Sequence, residues 1–152
     1  MKFDTQINNC EQMFFGLGNI IRIDLSKFDS SEVASMKYMF KDCINLESIN
    51  FSNIKTSNVE NMEGLFFGCQ KLSSLDLNDL VTSSVTSMNN MFYDCNSLKS
   101  LDVSNFQTSK VQGMESMFRN CTALISLDLS KFDTSNVLSM KCMFGYSKNL
   151  QY

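Results

Sequence analysis

Two rhythms of apolar residues alternate along this chain. The first is L-x-x-L-x-L, seen at Leu46-Ile49-Phe51, Leu72-Leu75-Leu77, Leu98-Leu101-Val103 and Leu124-Leu127-Leu129. Alternation of that kind predicts a short strand whose every second side chain points inward. One apolar residue three further on (Phe28, Ile54, Leu80, Phe106, Phe132) closes the turn out of the strand. The second rhythm is V-x-x-M-x-x-M-F-x-x-C-x-x-L, as at Val111, Met114, Met117, Phe118, Cys121 and Leu124. Its steps of three, three, one and three predict a helix with one apolar face. A Ser/Thr pair precedes each run, at Ser30-Ser31, Thr56-Ser57, Thr82-Ser83, Thr108-Ser109 and Thr134-Ser135. Such residues accept hydrogen bonds from the free N–H groups of a helix start, so they read as N-caps.

The pair of rhythms recurs every 26 residues. Full blocks span 23–48, 49–74, 75–100, 101–126 and 127–152 without insertion or deletion, and residues 1–22 fit the last part of a sixth. A period held this strictly means one small unit stacked on copies of itself, because no single unit can bury an apolar face alone. The expected fold is therefore a single repeat domain over 1–152 of the α/β class: a solenoid with one short parallel strand and one helix per 26-residue repeat. Parallel crossovers are right-handed in about 98% of cases, which predicts a right-handed coil.

Stacking turns repeat positions into columns. Phe14, Phe40, Phe66, Phe92, Phe118 and Phe144 predict a phenylalanine spine along the axis. Met36, Met62, Met88, Met114 and Met140 form one methionine ladder, and Met13, Met39, Met91, Met117 and Met143 another. Methionines at helical spacing can line a promiscuous groove, but their recurrence beside Phe in each block assigns them to the core. Cys43, Cys69, Cys95 and Cys121 share one column. Neighbouring helices about 8–10 Å apart exceed the roughly 7 Å Cα limit of a disulfide, so buried free thiols are expected. Cys142 falls in a variable column and is the candidate exposed thiol.

The strand and the L-x-x-L-x-L pattern resemble the leucine-rich repeat family. More closely, LDLSKFDTSNVLSMKCMF resembles the 26-residue repeat of bacterial surface proteins of the BspA-like type, with Asp-Leu-Ser, Thr-Ser-Asn-Val and Met-Phe at fixed offsets across the whole chain. The resemblance implies a right-handed solenoid and a role in surface display, adhesion or protein binding, at the cell surface or outside the cell. It brings no catalytic residues.

Composition narrows the chemistry. The chain has no His, which removes the commonest general base and transition-metal ligand, so an enzyme is not expected, nor a cofactor or metal. C-x-x-C spacing is absent, which disfavours zinc. A net charge of −3 gives no basic footprint for nucleic acid. No apolar run is long enough for a secretory signal or a membrane span, so the chain as written reads as soluble. Asn120-Cys121-Thr122 is an N-glycosylation sequon.

Two candidate surfaces remain. Asp24, Asn50, Asp76, Asp102 and Asp128 point outward from successive strands, flanked by Ser26, Ser52, Asn78, Ser104 and Ser130. At about 4.8 Å between strands this is a polar ladder that is expected to form a binding face for a protein or glycan, with Ser hydroxyls and backbone N–H groups satisfying the carboxylates. The other surface is the pair of solenoid ends. Ile7, Met13 and Phe14 at one end and Met140, Met143 and Phe144 at the other are core-type residues with neighbours on one side only. They make end-to-end stacking into an oligomer or filament the alternative expectation.

Overall fold

The computed structural model describes residues 7–151. Its organising unit is a coil of 26 residues laid parallel on the next. β1 (Arg22–Asp24) pairs with β2 (Ser48–Asn50) in parallel, with Arg22 opposite Ser48, Ile23 opposite Ile49 and Asp24 opposite Asn50. A second line of parallel bridges runs the length of the stack, from Asn9 to Ser35, Asn61, Ser87, Gly113 and Ser139. Every partner differs by 26, so the repeat is a structural translation as well as a sequence period.

The expected helix is not there. Among the described residues there is no helix, and β1 and β2 are the only strands, so the α/β reading with one strand and one helix per repeat is overturned. The V-x-x-M-x-x-M-F-x-x-C-x-x-L run is a chain of β-turns. Met39 N–H donates to Met36 C=O at 3.1 Å, Cys43 N–H to Phe40 C=O at 3.2 Å and Leu46 N–H to Cys43 C=O at 3.0 Å. Tyr38 and Asp42, third in the first two of these turns, have φ of 55° and 58°, the left-handed conformation that type II turns require there. The same two columns are left-handed in each coil, Gln12, Gly64, Asn90, Ser116 and Cys142 in one and Gly16, Gly68, Asp94, Asn120 and Tyr146 in the other. No α-helix accommodates a left-handed residue every four positions. The two ends of a β-turn lie three residues apart and face the same way, which is why the spacing imitates a helical face.

The remaining backbone groups bind between coils. Met36, Tyr38, Phe40 and Asp42 donate their N–H groups to the carbonyls of Asn61, Glu63, Leu65 and Phe67 at 2.7–3.0 Å. These bonds replace the intrahelical ladder and leave the Ser/Thr pairs with no helix to cap. Instead Thr82 Oγ1 donates to Gln107 C=O at 3.1 Å and accepts from Gln107 N–H at 2.7 Å, and Thr56 does the same with Val81 and Thr108 with Asp133. Each buried hydroxyl staples two coils.

Inward columns form one continuous core, from Cys10 to Met143. The phenylalanine spine is present, with near-parallel rings 5.4–5.8 Å apart from Phe14 through Phe144. Phe51 packs edge-on between Phe40 and Phe66 at 6.0 Å from each. Both methionine ladders lie in the core except at the ends, where Met13 and Met140 are exposed. All six cysteines are free, five buried and Cys142 exposed. The helix-spacing premise for that expectation fails, since coils stack at strand separation. The four stacked thiols each donate to a phenylalanine carbonyl of the preceding coil, as Cys69 Sγ does to Phe40 C=O and Cys95 Sγ to Phe66 C=O, both at 3.2 Å.

Candidate functional site

The Asp column lies where the sequence placed it, exposed along one edge of the solenoid. Each member is held by its own loop. Asp24 Oδ1 accepts the Ser26 N–H at 2.9 Å, Asn50 the Ser52 N–H at 3.0 Å, Asp76 the Asn78 N–H at 3.0 Å, Asp102 the Ser104 N–H at 2.9 Å and Asp128 the Ser130 N–H at 2.8 Å. These are Asx-turns, which turn the chain out of the strand position. Asn50 Nδ2 also donates to Asp24 Oδ1 at 3.0 Å, tying two coils. The backbone N–H of Ser26, then its hydroxyl, hold Asp24 below the usual carboxylate range. For Asp102 the Ser104 hydroxyl leads and the backbone N–H follows, while Asp128 opposes weakly by like charge. Asp128 is lowered chiefly by the Ser130 backbone N–H. The column is thus a pre-oriented row of four carboxylates and one amide, each with an acceptor oxygen already committed to its own turn.

A second surface was not read from the sequence. Phe15, Lys41, Phe67, Tyr93 and Arg119 occupy one repeat column, and Tyr146 stands beside its end. The structure joins them into a ribbon along the axis. Lys41 Nζ lies 5.6 Å from the Phe15 ring centre, 4.9 Å from that of Tyr38 and 4.8 Å from that of Phe67. Phe67 and Tyr93 stack at 4.5 Å with parallel rings, and Arg119 Cζ sits 5.8 Å from Tyr93 and 4.9 Å from Tyr146. Each such cation–aromatic contact contributes about 0.5–1 kcal/mol when exposed. The residues are half-buried to exposed, with Phe15 and Tyr146 the most open. The readable signal was the succession of aromatic and cationic residues at one offset of 26.

Next to the ribbon runs a column of alternating charge, Glu11, Lys37, Glu63, Asn89, Glu115 and Lys141. Lys37 Nζ pairs with Glu63 Oε2 at 3.0 Å, and the Tyr38 hydroxyl donates to Glu63 Oε1 at 2.6 Å. Burial first and the Glu63 carboxylate second push the Tyr38 hydroxyl up to about 12. Asn120 of the sequon has left-handed backbone and gives its Nδ2 to Asp94 Oδ1 at 2.7 Å, so the side-chain nitrogen is engaged.

The end residues separate into two groups. Ile7, Met13 and Met140 are exposed, whereas Phe14 and Phe144 are half-buried and Met143 is buried. Among the described residues no three His, Cys, Asp or Glu side chains converge as metal ligands do, and no helix is long and apolar enough to cross a membrane.

The whole chain matches one family model, described as Mycoplasma protein of unknown function, DUF285, in two overlapping stretches, residues 1–100 and 65–152. No curated protein matches it. Among solved structures, a leucine-rich repeat protein from Eubacterium ventriosum ATCC 27560 is similar, with a TM-score of 0.54 and 19% sequence identity. The similarity covers 91% of this chain and 34% of that one, so the chain spans about a third of that protein's length. At that identity the likeness concerns the fold: a leucine-rich-repeat solenoid, here with turns where a helix was expected.

Proposed function

The chain belongs to the DUF285 family, and from that premise we propose that it is a non-enzymatic recognition module of the BspA-like surface or adhesion kind, binding a protein or glycan along the side of its solenoid. The observation that carries this reading is the ribbon from Phe15 through Lys41, Phe67, Tyr93 and Arg119 to Tyr146. Its members belong to coils whose inward columns are nearly invariant, yet nothing in the core needs an aromatic or a cation at this offset. Aromatic residues and Arg are enriched at protein interfaces, where they supply large rigid area with a polar handle. Phe67 and Tyr93 stack on each other, and Lys41 and Arg119 cover the other ring faces, so the ribbon offers edges and cations outward, which suits an acidic or carbonyl-rich protein surface better than a sugar laid flat on a ring.

The Asp column is the second lateral surface and carries the opposite charge. Its carboxylates are exposed, but each already accepts from its Asx-turn. A panel of purified extracellular proteins and immobilised glycans, probed with the wild type, decides whether the module binds at all. On any binder found, Lys41→Ala with Tyr93→Ala is expected to abolish binding while Asp76→Asn with Asp102→Asn leaves it. The reverse pattern would move the site to the Asp column, and absence of any binder across the panel would remove the reading.

A further inference from the structure

The strand-side ladder breaks in the middle of the solenoid. Glu47 N–H donates to Ile21 C=O at 2.9 Å, Ile125 N–H to Lys99 C=O at 3.4 Å and Gln151 N–H to Ile125 C=O at 2.8 Å. The same register calls for two bonds between these, from Ser73 N–H to Glu47 C=O and from Lys99 N–H to Ser73 C=O. Neither forms, and neither N–H finds another acceptor among the described residues. The turn wall keeps its bonds across the same coils, as from Met62 N–H to Ser87 C=O and from Met88 N–H to Gly113 C=O.

Glu47, Ser73 and Lys99 line a groove of about 480 Å³ with Lys71, Asn96 and Ser97, and Ala123 is its one apolar wall residue. Its charges are exposed and uncommitted. Lys71 and Lys99 make no ion pair or ring contact among the described residues, and the Glu47 carboxylate pairs with no cation there. Asn96 Oδ1 is buried in the wall without a hydrogen-bond partner, so the wall is not closed by bonds of its own. Glu47 and Lys99 stand two coils apart in one column, about 10 Å along the axis at about 4.8 Å per coil. The groove therefore has an acceptor end and a cationic end, with hydroxyls between them.

We propose that this groove binds an acidic saccharide, its carboxylate or sulfate group between Lys71 and Lys99 and its hydroxyls on Ser73, Ser97 and Glu47. Charge-assisted bonds from the two lysines hold the anion. A nucleic-acid strand needs aromatic platforms for its bases, and a protein hot spot needs an aromatic or aliphatic anchor in a pocket. Ala123 serves neither. A bare inorganic anion gains from the lysines but has no hydrogen to give Glu47, whereas a sugar hydroxyl donates to that carboxylate. The site lies wholly within residues 47–123 and does not rest on the ribbon reading above.

Amide chemical shifts of the isotope-labelled chain, titrated with a uronate-containing disaccharide, a sulfated disaccharide, a neutral disaccharide and inorganic sulfate, test it. An acidic disaccharide is expected to shift Ser73, Ser97 and Lys99 with a Kd on the order of 1 mM, too weak to be retained on an immobilised panel. Binding by either acidic disaccharide upholds the proposal and names the anion. The neutral disaccharide and the Lys71→Ala, Lys99→Ala double variant are each expected to weaken binding about tenfold. Lys41→Ala with Tyr93→Ala is expected to change nothing, which separates this site from the ribbon. Glu47→Ala is expected to weaken the acidic disaccharide about threefold and to leave inorganic sulfate as it was or tighten it. No shift at the groove amides with either acidic disaccharide overturns the proposal. So does a Glu-rich peptide or inorganic sulfate that binds as tightly, or a disaccharide that Glu47→Ala makes tighter.

Discussion

Removing one ring from the middle of the phenylalanine spine tests what holds this solenoid together. Phe92 is fully buried between Phe66 and Phe118, each 5.4 Å away. A buried Phe removes about 200 Å² from water, which at about 25 cal/mol/Å² is ~5 kcal/mol, of which alanine keeps a small part. The neighbouring coils are tied by backbone bonds above and below and can close only part of the cavity. Phe92→Ala is therefore expected to cost about 3–5 kcal/mol. Phe144, half-buried with Phe118 as its one spine neighbour, is expected to cost about half as much when truncated. Exposed Lys110, without hydrogen bonds or ion pairs among the described residues, serves as the control, within about 0.5 kcal/mol for Lys110→Ala. Urea unfolding followed by far-ultraviolet circular dichroism gives all three midpoints. Equal midpoints for Phe92→Ala and Phe144→Ala would falsify the spine as the central stabilising element.

Thr82→Val leaves Gln107 N–H and C=O without partners and is expected to cost about 1–3 kcal/mol, while Thr82→Ser keeps the staple; a Val variant as stable as the Ser variant in urea refutes the role given to the hydroxyl. Gly64→Ala puts a methyl against the Tyr38 ring at a left-handed position, so its thermal midpoint should drop, and Tyr38→Ala in the same chain should recover part of the loss. Burial pushes the Cys10 thiol to about 11 and the Cys121 thiol to about 12, so at pH 8 a thiol-specific dye should label one cysteine, Cys142, in the folded chain and all six in denaturant; more than one in the folded chain contradicts the packing. Asp24, Asp102 and Asp128 are held below their unfolded range, so the unfolded chain binds more protons as pH falls, and their contribution, present above about pH 4, is lost as pH drops through the lowered values; Asp102→Asn, which can keep its turn as Asn50 does, should flatten that acid limb in pH-dependent urea midpoints.

The inward columns were legible because burial fixes residue type: the Phe spine, the methionine ladders and the buried thiols follow from their recurrence at one offset. The conformation joining them was not, because a chain of β-turns and an α-helix both bring every third residue to the same side. The discriminating residues were Gly16, Asp42, Gly68, Asp94 and Asn120, a column of the types that best tolerate left-handed backbone. Thr56, Thr82 and Thr108 misled for a related reason, since a hydroxyl that accepts from backbone N–H does so as well across coils as at a helix start. The Asp column is exposed as the alternation implied, but only Asp24 and Asn50 lie in strands, while Asp76, Asp102 and Asp128 hold the matching positions outside any strand. The ribbon escaped because Phe15, Lys41, Phe67, Tyr93 and Arg119 mix aromatic and cationic residues at one offset and become a surface only once the offset of 26 is converted into stacking.

The one-way bonding between coils also makes the molecule electrically polar. On the turn wall, Met36, Tyr38, Phe40 and Asp42 send their N–H groups toward the following coil, against the single reverse bond from Glu60 to Ala34. Peptide dipoles of about 3.5 D therefore add along the axis, where the alternating strands of an ordinary sheet largely cancel. The sense is opposite to that of an α-helix, with partial positive charge gathering at the C-terminal end of the wall. Anions are drawn to the last coil and cations to the first, and each additional coil lengthens the dipole without changing the charge at its poles.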